Sequence, residues 1–288
     1  MVKYRLFFGT LMTAFFAAVM ILDGWMDGGI TAARIDDRSI RGTLLCILIA
    51  GLLIPAQLEL SKLAAAKGVK IFAGVSIISS ILLGTFYYWT ILLAFRQTTA
   101  LSILLAFELM AVLLYQYLRF GVSNILTNSG ATFFSICYLG LFSSFVLGIR
   151  INFQDGLWKL LMFIFVVKAA DIGAYAIGSL FGRHKFSPKI SPAKTWEGMA
   201  GAIAAAVIVA IAFAASFDIM ALWLAVIFGV CFAFIGQMGD LVESMLKRDA
   251  AQKDSANKVP GFGGVLDIVD SPLLAAPFAY LFFMCLIR

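Results

Sequence analysis

Apolar residues run through the chain in long unbroken windows rather than at alternating or one-face spacing. Nine windows stand out, at 6–22, 43–58, 71–94, 99–118, 131–149, 160–181, 199–215, 220–237 and 271–287. A helix of about 20 apolar residues crosses a bilayer, and runs of this kind lack the two-residue period of a membrane barrel. The pattern predicts an all-α polytopic membrane protein with about nine transmembrane helices and a polar site facing the cytoplasm. Residues 1–150 supply N-terminal helices, and 151–288 supply a C-terminal region with two polar loops, in one integrated domain. The window at 43–58 is short and carries Pro55, which makes it the candidate for a kinked or re-entrant segment. The first window follows Lys3 and Arg5 as in a signal peptide, but no small-residue cleavage site follows, so an uncleaved first helix is expected.

Composition agrees with the pattern. Of 288 residues 62% are hydrophobic and 13% charged, whereas a soluble domain is nearer half apolar and a quarter charged. Cys46, Cys137, Cys231 and Cys285 all fall in apolar stretches, without metal spacing, and read as packing residues rather than disulfides. Only Glu108, Lys168 and Asp171 among the charged residues lie inside the windows. With nine spans, the side bearing the N-terminus and the even-numbered loops holds 14 Lys and Arg, against 7 opposite. The richer side is then cytoplasmic, and the net charge of +6 needs no nucleic acid partner. The arginines of the segment 34–41 stand on the poorer side, offset in part by Asp36 and Asp37. The short N-terminus carries no organelle-targeting segment, which points to a bacterial inner membrane.

Two polar segments, 182–198 and 238–270, hold 15 of the charged residues. A helical hairpin separates them, so they share a side and can converge. The second continues the eighth window with Asp240, Glu243, Ser244, Lys247 and Arg248, whose spacing places all five on one helical face. Acids near the membrane with bases a turn or two further on suit a metal-binding end and a phosphate-binding end. A solvated amphipathic extension with ordinary ion pairs has the same spacing, so the face alone leaves both readings open. Lys253, Asp254 and Lys258 lead on to Pro260-Gly261-Phe262-Gly263-Gly264, then Asp267 and Asp270. The glycines make a loop whose amides can approach an anion. Carboxylates just before the last window suit Mg2+, which takes a few carboxylate oxygens with phosphate and water. A tight turn accounts for the glycines but not for the charges on both sides of them.

The first segment carries Arg183, Lys185, Lys189 and Lys194 along two Ser-Pro steps, which predict an extended path. Ser191 or Thr195 is placed to cap the next helix, turning its positive end toward the same site. A plain basic cytoplasmic loop would look similar. His184 reads as a loop cation or hydrogen-bonding residue. Lys168 and Asp171 stand three residues apart inside the sixth window, as a mutual ion pair or as the floor of a polar cavity. Glu108 is assigned no role.

The run from Ser244, S-M-L-K-R-D-A-A-Q-K-D-S-A-N-K-V-P-G-F-G-G-V-L-D-I-V-D, resembles the signature of the phosphatidate cytidylyltransferase (CDP-diacylglycerol synthase) family. That signature is S-x-x-K-R, four residues, K-D, a short spacer, then P-G-H-G-G-x-x-D-R-x-D. D-I-G-A-Y and F-G-R-H-K-F-S-P-K-I-S-P-A-K-T-W-E-G resemble the family's other blocks, so the likeness covers about 165–288. Phe262 stands where the family usually has His, and Ile268 where it usually has Arg. The resemblance implies a Mg2+-dependent reaction of CTP with phosphatidate, a membrane lipid, giving CDP-diacylglycerol and pyrophosphate. It implies Asp240 and Asp267 as principal ligands of Mg2+, alone or with a second cation, supported by Asp270, Glu243 or Asp171. Lys247, Arg248 and Lys253, with Asp254 beside them, would hold the triphosphate, and Lys189 and Lys194 the lipid phosphate or pyrophosphate. Ser191, Thr195, Ser244, Gly261, Gly263 and Gly264 complete the implied substrate frame. A homodimer is compatible with all of this.

Three rivals remain open at this point. A CDP-alcohol phosphotransferase carries D-G-x-x-A-R, but in the run from Asp27 the Ala-Arg pair ends at Arg34, two residues late, and the later G-x-x-x-D-x-x-x-D is missing. A CTP-dependent polyprenol kinase would release CDP instead of pyrophosphate. A secondary transporter would spread charge through the midplane of two similar halves, whereas here it gathers in two loops.

Overall fold

The computed structural model describes residues 2–27, 41–252 and 263–286, with backbone only for 2–10. Among the described residues all regular elements are helical: α1 (Val2–Met26), α2 (Thr43–Ala65), α3 (Ala73–Gly84), α4 (Phe86–Leu92), α5 (Gln97–Phe120), α6 (Ile125–Ser135), α7 (Phe142–Asn152), α8 (Gly156–Phe181), α9 (Trp196–Phe217), α10 (Leu222–Asp249) and α11 (Leu266–Cys285). A π-helical stretch, Ile136–Leu141, joins α6 to α7 in one rod of 28 residues. Among the described residues this rod and α2, α5, α8, α9, α10 and α11 are the seven helices long and apolar enough to cross a membrane. The chain is a multi-pass helical membrane protein. The count among the described residues becomes eight if the bent pair α3–α4 makes one crossing, and α1 contributes a shorter apolar helix, Leu11–Met26.

The irregular window is not the one that Pro55 marks. α2 runs unbroken through Pro55 for 23 residues, because a proline removes one internal hydrogen bond without ending an otherwise apolar helix. The break lies instead between α3 and α4, whose axes differ by 62°. There Thr85 Oγ1 donates back to the Ile81 carbonyl at 2.7 Å, competing with the helical ladder.

The main core runs through α2 and α7–α11, while α5 stands at the periphery on a small cluster of Phe72, Leu83, Val112 and Ile136. Between lipid-solvated helices apolar burial gives little drive, so close backbone approach matters more. Gly173 of α8 faces Gly201 of α9, and a Cβ on Gly173 would lie 2.4 Å from the Gly201 carbonyl oxygen. Ala205 lies in the same contact, its Cβ 2.8 Å from that position, and Ala202, Ala206 and Ala210 of α9 are fully buried. The C-terminal end of α10 and the loops after α2, α5 and α8 gather at one end of the bundle. Lys70 there lies over the Phe120 ring, Lys67 pairs with Asp249, and Lys194 pairs with Asp240. At the other end Arg150 pairs with Asp23 and Asp27. Segment 34–41 falls outside the described residues except for Arg41. All four cysteines are free thiols.

Replacing Gly201 with valine is expected to lower stability by about 1–3 kcal/mol through overpacking. Thermal unfolding of the detergent-solubilised protein checks this, and an unchanged midpoint would mean that α8 and α9 do not depend on contact at these glycines.

Candidate active site

The site is built where α10 and α11 touch. A Cβ on Gly239 would lie 2.8 Å from Ser271 Cα and 3.0 Å from the Asp270 carbonyl oxygen. The missing side chain lets the two backbones meet, and the neighbouring acids are brought together as a result. Asp240, Glu243 and Asp270 each present a carboxylate oxygen within 4.8 Å of the other two. Glu243 and Asp270 are buried, whereas the Asp240 side chain is 38% exposed and opens the cluster to the outside. Glu243 Oε1 meets no donor among the described residues. An all-oxygen set with an unanswered buried oxygen fits a hard divalent cation.

Lysines surround these acids. Lys194 Nζ lies 2.8 Å from Asp240 Oδ2 and donates to the Gln237 carbonyl at 2.8 Å. Lys247 Nζ bridges Glu243 Oε2 at 2.5 Å and Asp267 Oδ1 at 2.6 Å. Lys168 Nζ lies 3.6 Å from Asp171 Oδ2 and donates to the Ile268 carbonyl at 2.9 Å. That carbonyl is free because the residue four positions on is Pro272, which has no amide hydrogen to offer. Gln237 Nε2 donates to Asp171 Oδ1 at 3.2 Å, and Asp171 and Asp270 lie within electrostatic reach of each other and of Asp240. Five carboxylates thus face three ammonium groups, a formal excess of two negative charges that a divalent cation matches.

Most of the expected residues converge, with altered partners. Asp267, expected as a principal metal ligand, faces Lys247 and accepts from the Gly264 amide at 2.6 Å, so the closest trio contains Asp270 and Glu243 instead. Gly263 takes a φ of +94°, which suits glycine, and the loop amide that meets an anion here meets Asp267 itself. Ser244 Oγ donates to Asp240 Oδ1 at 3.5 Å. Arg248 is exposed, and its Nε donates to the Ile190 carbonyl at 3.4 Å. Lys253, Asp254, Gly261 and Phe262 lie outside the described residues.

The basic loop is folded more tightly than its Ser-Pro steps suggest. Lys185 and Thr195 form an antiparallel bridge, and each proline opens a turn between those ends. The Ser191 amide donates to the Ser187 carbonyl at 3.0 Å, and Ser191 caps no helix. Thr195 does, its Oγ1 accepting from the Gly198 amide at 3.1 Å. Lys194 turns inward at 10% exposure while Lys189 stays exposed. His184 is held by Glu197, which also accepts from the amides of Arg183 and His184.

Three residues escape a reading based on charge clusters. Gln237 is uncharged, although its place three residues before Asp240 puts it on the same face. Tyr138 sits in the π-helical stretch, buried, within electrostatic reach of Asp270 and Glu243. Glu59 lies one residue beyond the apolar window 43–58, and the helix carries it inward to the α11 backbone. Glu108, also buried, joins none of these pairs.

Comparison with known proteins gives the same direction. The profile of the cytidylyltransferase family matches residues 38–286. The chain is 37% identical over 207 residues to the phosphatidate cytidylyltransferase of Bacillus subtilis (strain 168), covering 69% of this chain and 76% of that one. It is 41% identical over 140 residues to the protein of that name from Haemophilus influenzae, with 46% and 48% covered. Against that of Mycobacterium bovis it is 37% identical over 158 residues, with 55% and 51% covered. The chain thus spans about half the length of several curated relatives it matches.

Lys247→Met leaves Glu243 and Asp267 without their shared cation and is expected to cost about 3–5 kcal/mol of stability. Glu243→Gln in the same chain should return part of that loss. Thermal unfolding of the single and double variants checks the coupling, and strictly additive losses would refute it.

Proposed function

The chain belongs to the cytidylyltransferase family, and from that premise we propose that it joins CTP to phosphatidate, releasing pyrophosphate and CDP-diacylglycerol. The observation that carries the proposal is the convergence of Asp240, Glu243 and Asp270 with Lys194 and Lys247 at one end of a membrane bundle. In the proposed reaction a phosphate oxygen of the lipid forms a bond to the α-phosphorus of CTP, and the bond from that phosphorus to the pyrophosphate oxygen breaks. Both reactants are anions, so their mutual repulsion is the obstacle, and positioning with charge neutralisation is the remedy. The attacking phosphate is already ionised, and no general base is needed.

Asp240, Glu243 and Asp270 would hold Mg2+, with Asp267 and Asp171 beside them. The ion would supply charge neutralisation for the triphosphate, with a second cation as an addition the acid-rich site can accommodate. Lys247 and Arg248 would take triphosphate oxygens, together with Lys253, while Lys194 and Lys189 would take the lipid phosphate or the departing pyrophosphate. Ser244, Ser191, Thr195 and the glycines 261, 263 and 264 would frame the substrates, with Asp254 near the triphosphate. The bundle would number about nine spans in a bacterial inner membrane, with the site on the cytoplasmic side where Lys and Arg are in excess. The lipid would then reach the site from the leaflet and CTP from water.

Purified protein in mixed micelles with α-labelled CTP and phosphatidate should yield a labelled lipid and one pyrophosphate per turnover, only when Mg2+ is present. Release of CDP would instead indicate a kinase, and turnover in the presence of a chelator would remove the metal from the reading. Asp240→Asn and Asp267→Asn should each lower turnover by roughly 10²–10³, as loss of one electrostatic stabiliser does.

A further inference from the structure

The first turn of α11 carries Asp267 and Asp270, yet its N-cap residue, Val265, offers no side-chain acceptor. The leading amides of any helix lack partners within it. Here the Leu266 amide donates at 3.0 Å to Oε2 of Glu59, a residue 207 positions away on α2. Glu59 is fully buried. A carboxylate at a helix N-terminus is favoured by the helix dipole, which offsets part of its desolvation. Two residues earlier, Gln57 Nε2 donates to Ser80 Oγ and to the Ser135 carbonyl. One polar side chain therefore fixes α2 to the N-terminal helices, and another docks it onto the helix that bears two site acids. From α8, Lys168 donates to the Ile268 carbonyl. The first turn of α11 is gripped from both α2 and α8.

We propose that Glu59 is a positioning residue: its hydrogen bond to the Leu266 amide sets the height and rotation of the first turn of α11. It thereby sets the spacing of Asp270 from Asp240 and Glu243, and so the affinity of the site for a divalent cation, without touching the ion. This inference rests on the metal site proposed above. A merely structural Glu59 would change stability and leave metal affinity alone.

Two conservative variants separate these roles. Glu59→Asp keeps the charge but withdraws the carboxylate by one methylene, whereas Glu59→Gln keeps the length and an acceptor oxygen but removes the charge. Mn2+ binding, followed by electron paramagnetic resonance on the full-length protein in detergent, gives a readout independent of turnover. The thermal midpoint without metal reports the fold. Glu59→Asp should weaken Mn2+ binding by about tenfold or more, the range for losing a group that orients a metal ligand. Glu59→Gln should stay within about threefold, the scale of a lost helix-end charge. The inference is overturned if Glu59→Asp binds Mn2+ like the wild type, or if Glu59→Gln loses as much as the Asp variant. A lowered midpoint with unchanged Mn2+ binding overturns it too, and it also falls if the wild type binds no Mn2+. Wild-type protein that binds Mn2+ but does not label lipid from CTP would sink the proposed reaction alone, leaving the Glu59 comparison intact.

Discussion

Charge held out of water is the constraint on which this molecule turns. Five carboxylates lie together at one end of a largely apolar bundle, and two of them, Glu243 and Asp270, are buried. Isolated ions at such depth would cost several kcal/mol each. The surroundings reduce that cost group by group: Lys247 serves two acids at once, Lys194 serves Asp240, and backbone amides serve Asp267 and Asp270. Compensation stops short of neutrality. The formal excess of acid is the place where a divalent cation would complete the set.

Such an arrangement needs backbones placed to within an ångström, and small or unusual residues provide it. Gly239 lets α10 meet α11, and Gly173 with Gly201 lets α8 meet α9. Pro272 works differently, by withholding a hydrogen bond. Its missing amide frees the Ile268 carbonyl, and Lys168 takes that carbonyl while remaining 3.6 Å from Asp171. A residue that weakens its own helix thus ties α8 to α11 beside the acids. The structural elements and the chemistry are one system here, because the helix contacts determine which charges face one another.

The helices were legible because crossing a bilayer demands apolar length, and length can be read along a chain. Eight of the nine windows fall on described helices with side chains, and the described parts of the polar segments sit at one end as alternation of the loops requires. What could not be read is register between helices. That Asp270 rather than Asp267 approaches Asp240 depends on the rotation of α11 against α10, which the sequence spacing leaves open. The break at Thr85 was hidden as well, because hydropathy runs through it without interruption. Glu59 and Gln237 were overlooked because each is a single polar residue beside an apolar run, and only the fold gives them partners.

The opposite end of the bundle shows how the same physics gives a different result. Arg150 is 3% exposed and pairs with Asp23 and Asp27, at 2% and 7%, while Asp23 also accepts from the Leu44 amide at 2.8 Å. A planar guanidinium offers several donors in a fixed fork, so one residue can answer two acids and fix three helices. That cluster is closed on every side and fastens α1 and α2 to α7. The other cluster uses lysines, whose single ammonium groups can be drawn to a different anion without breaking a fork. It also leaves Asp240 open at 38%. Closure with arginine holds a fold together, whereas lysine, excess acid and one open edge leave room for a ligand to complete the set. By that criterion the Lys194 and Lys247 pairs belong to the open kind of cluster, in which an ammonium group is held by single contacts to acids and not locked in a fork.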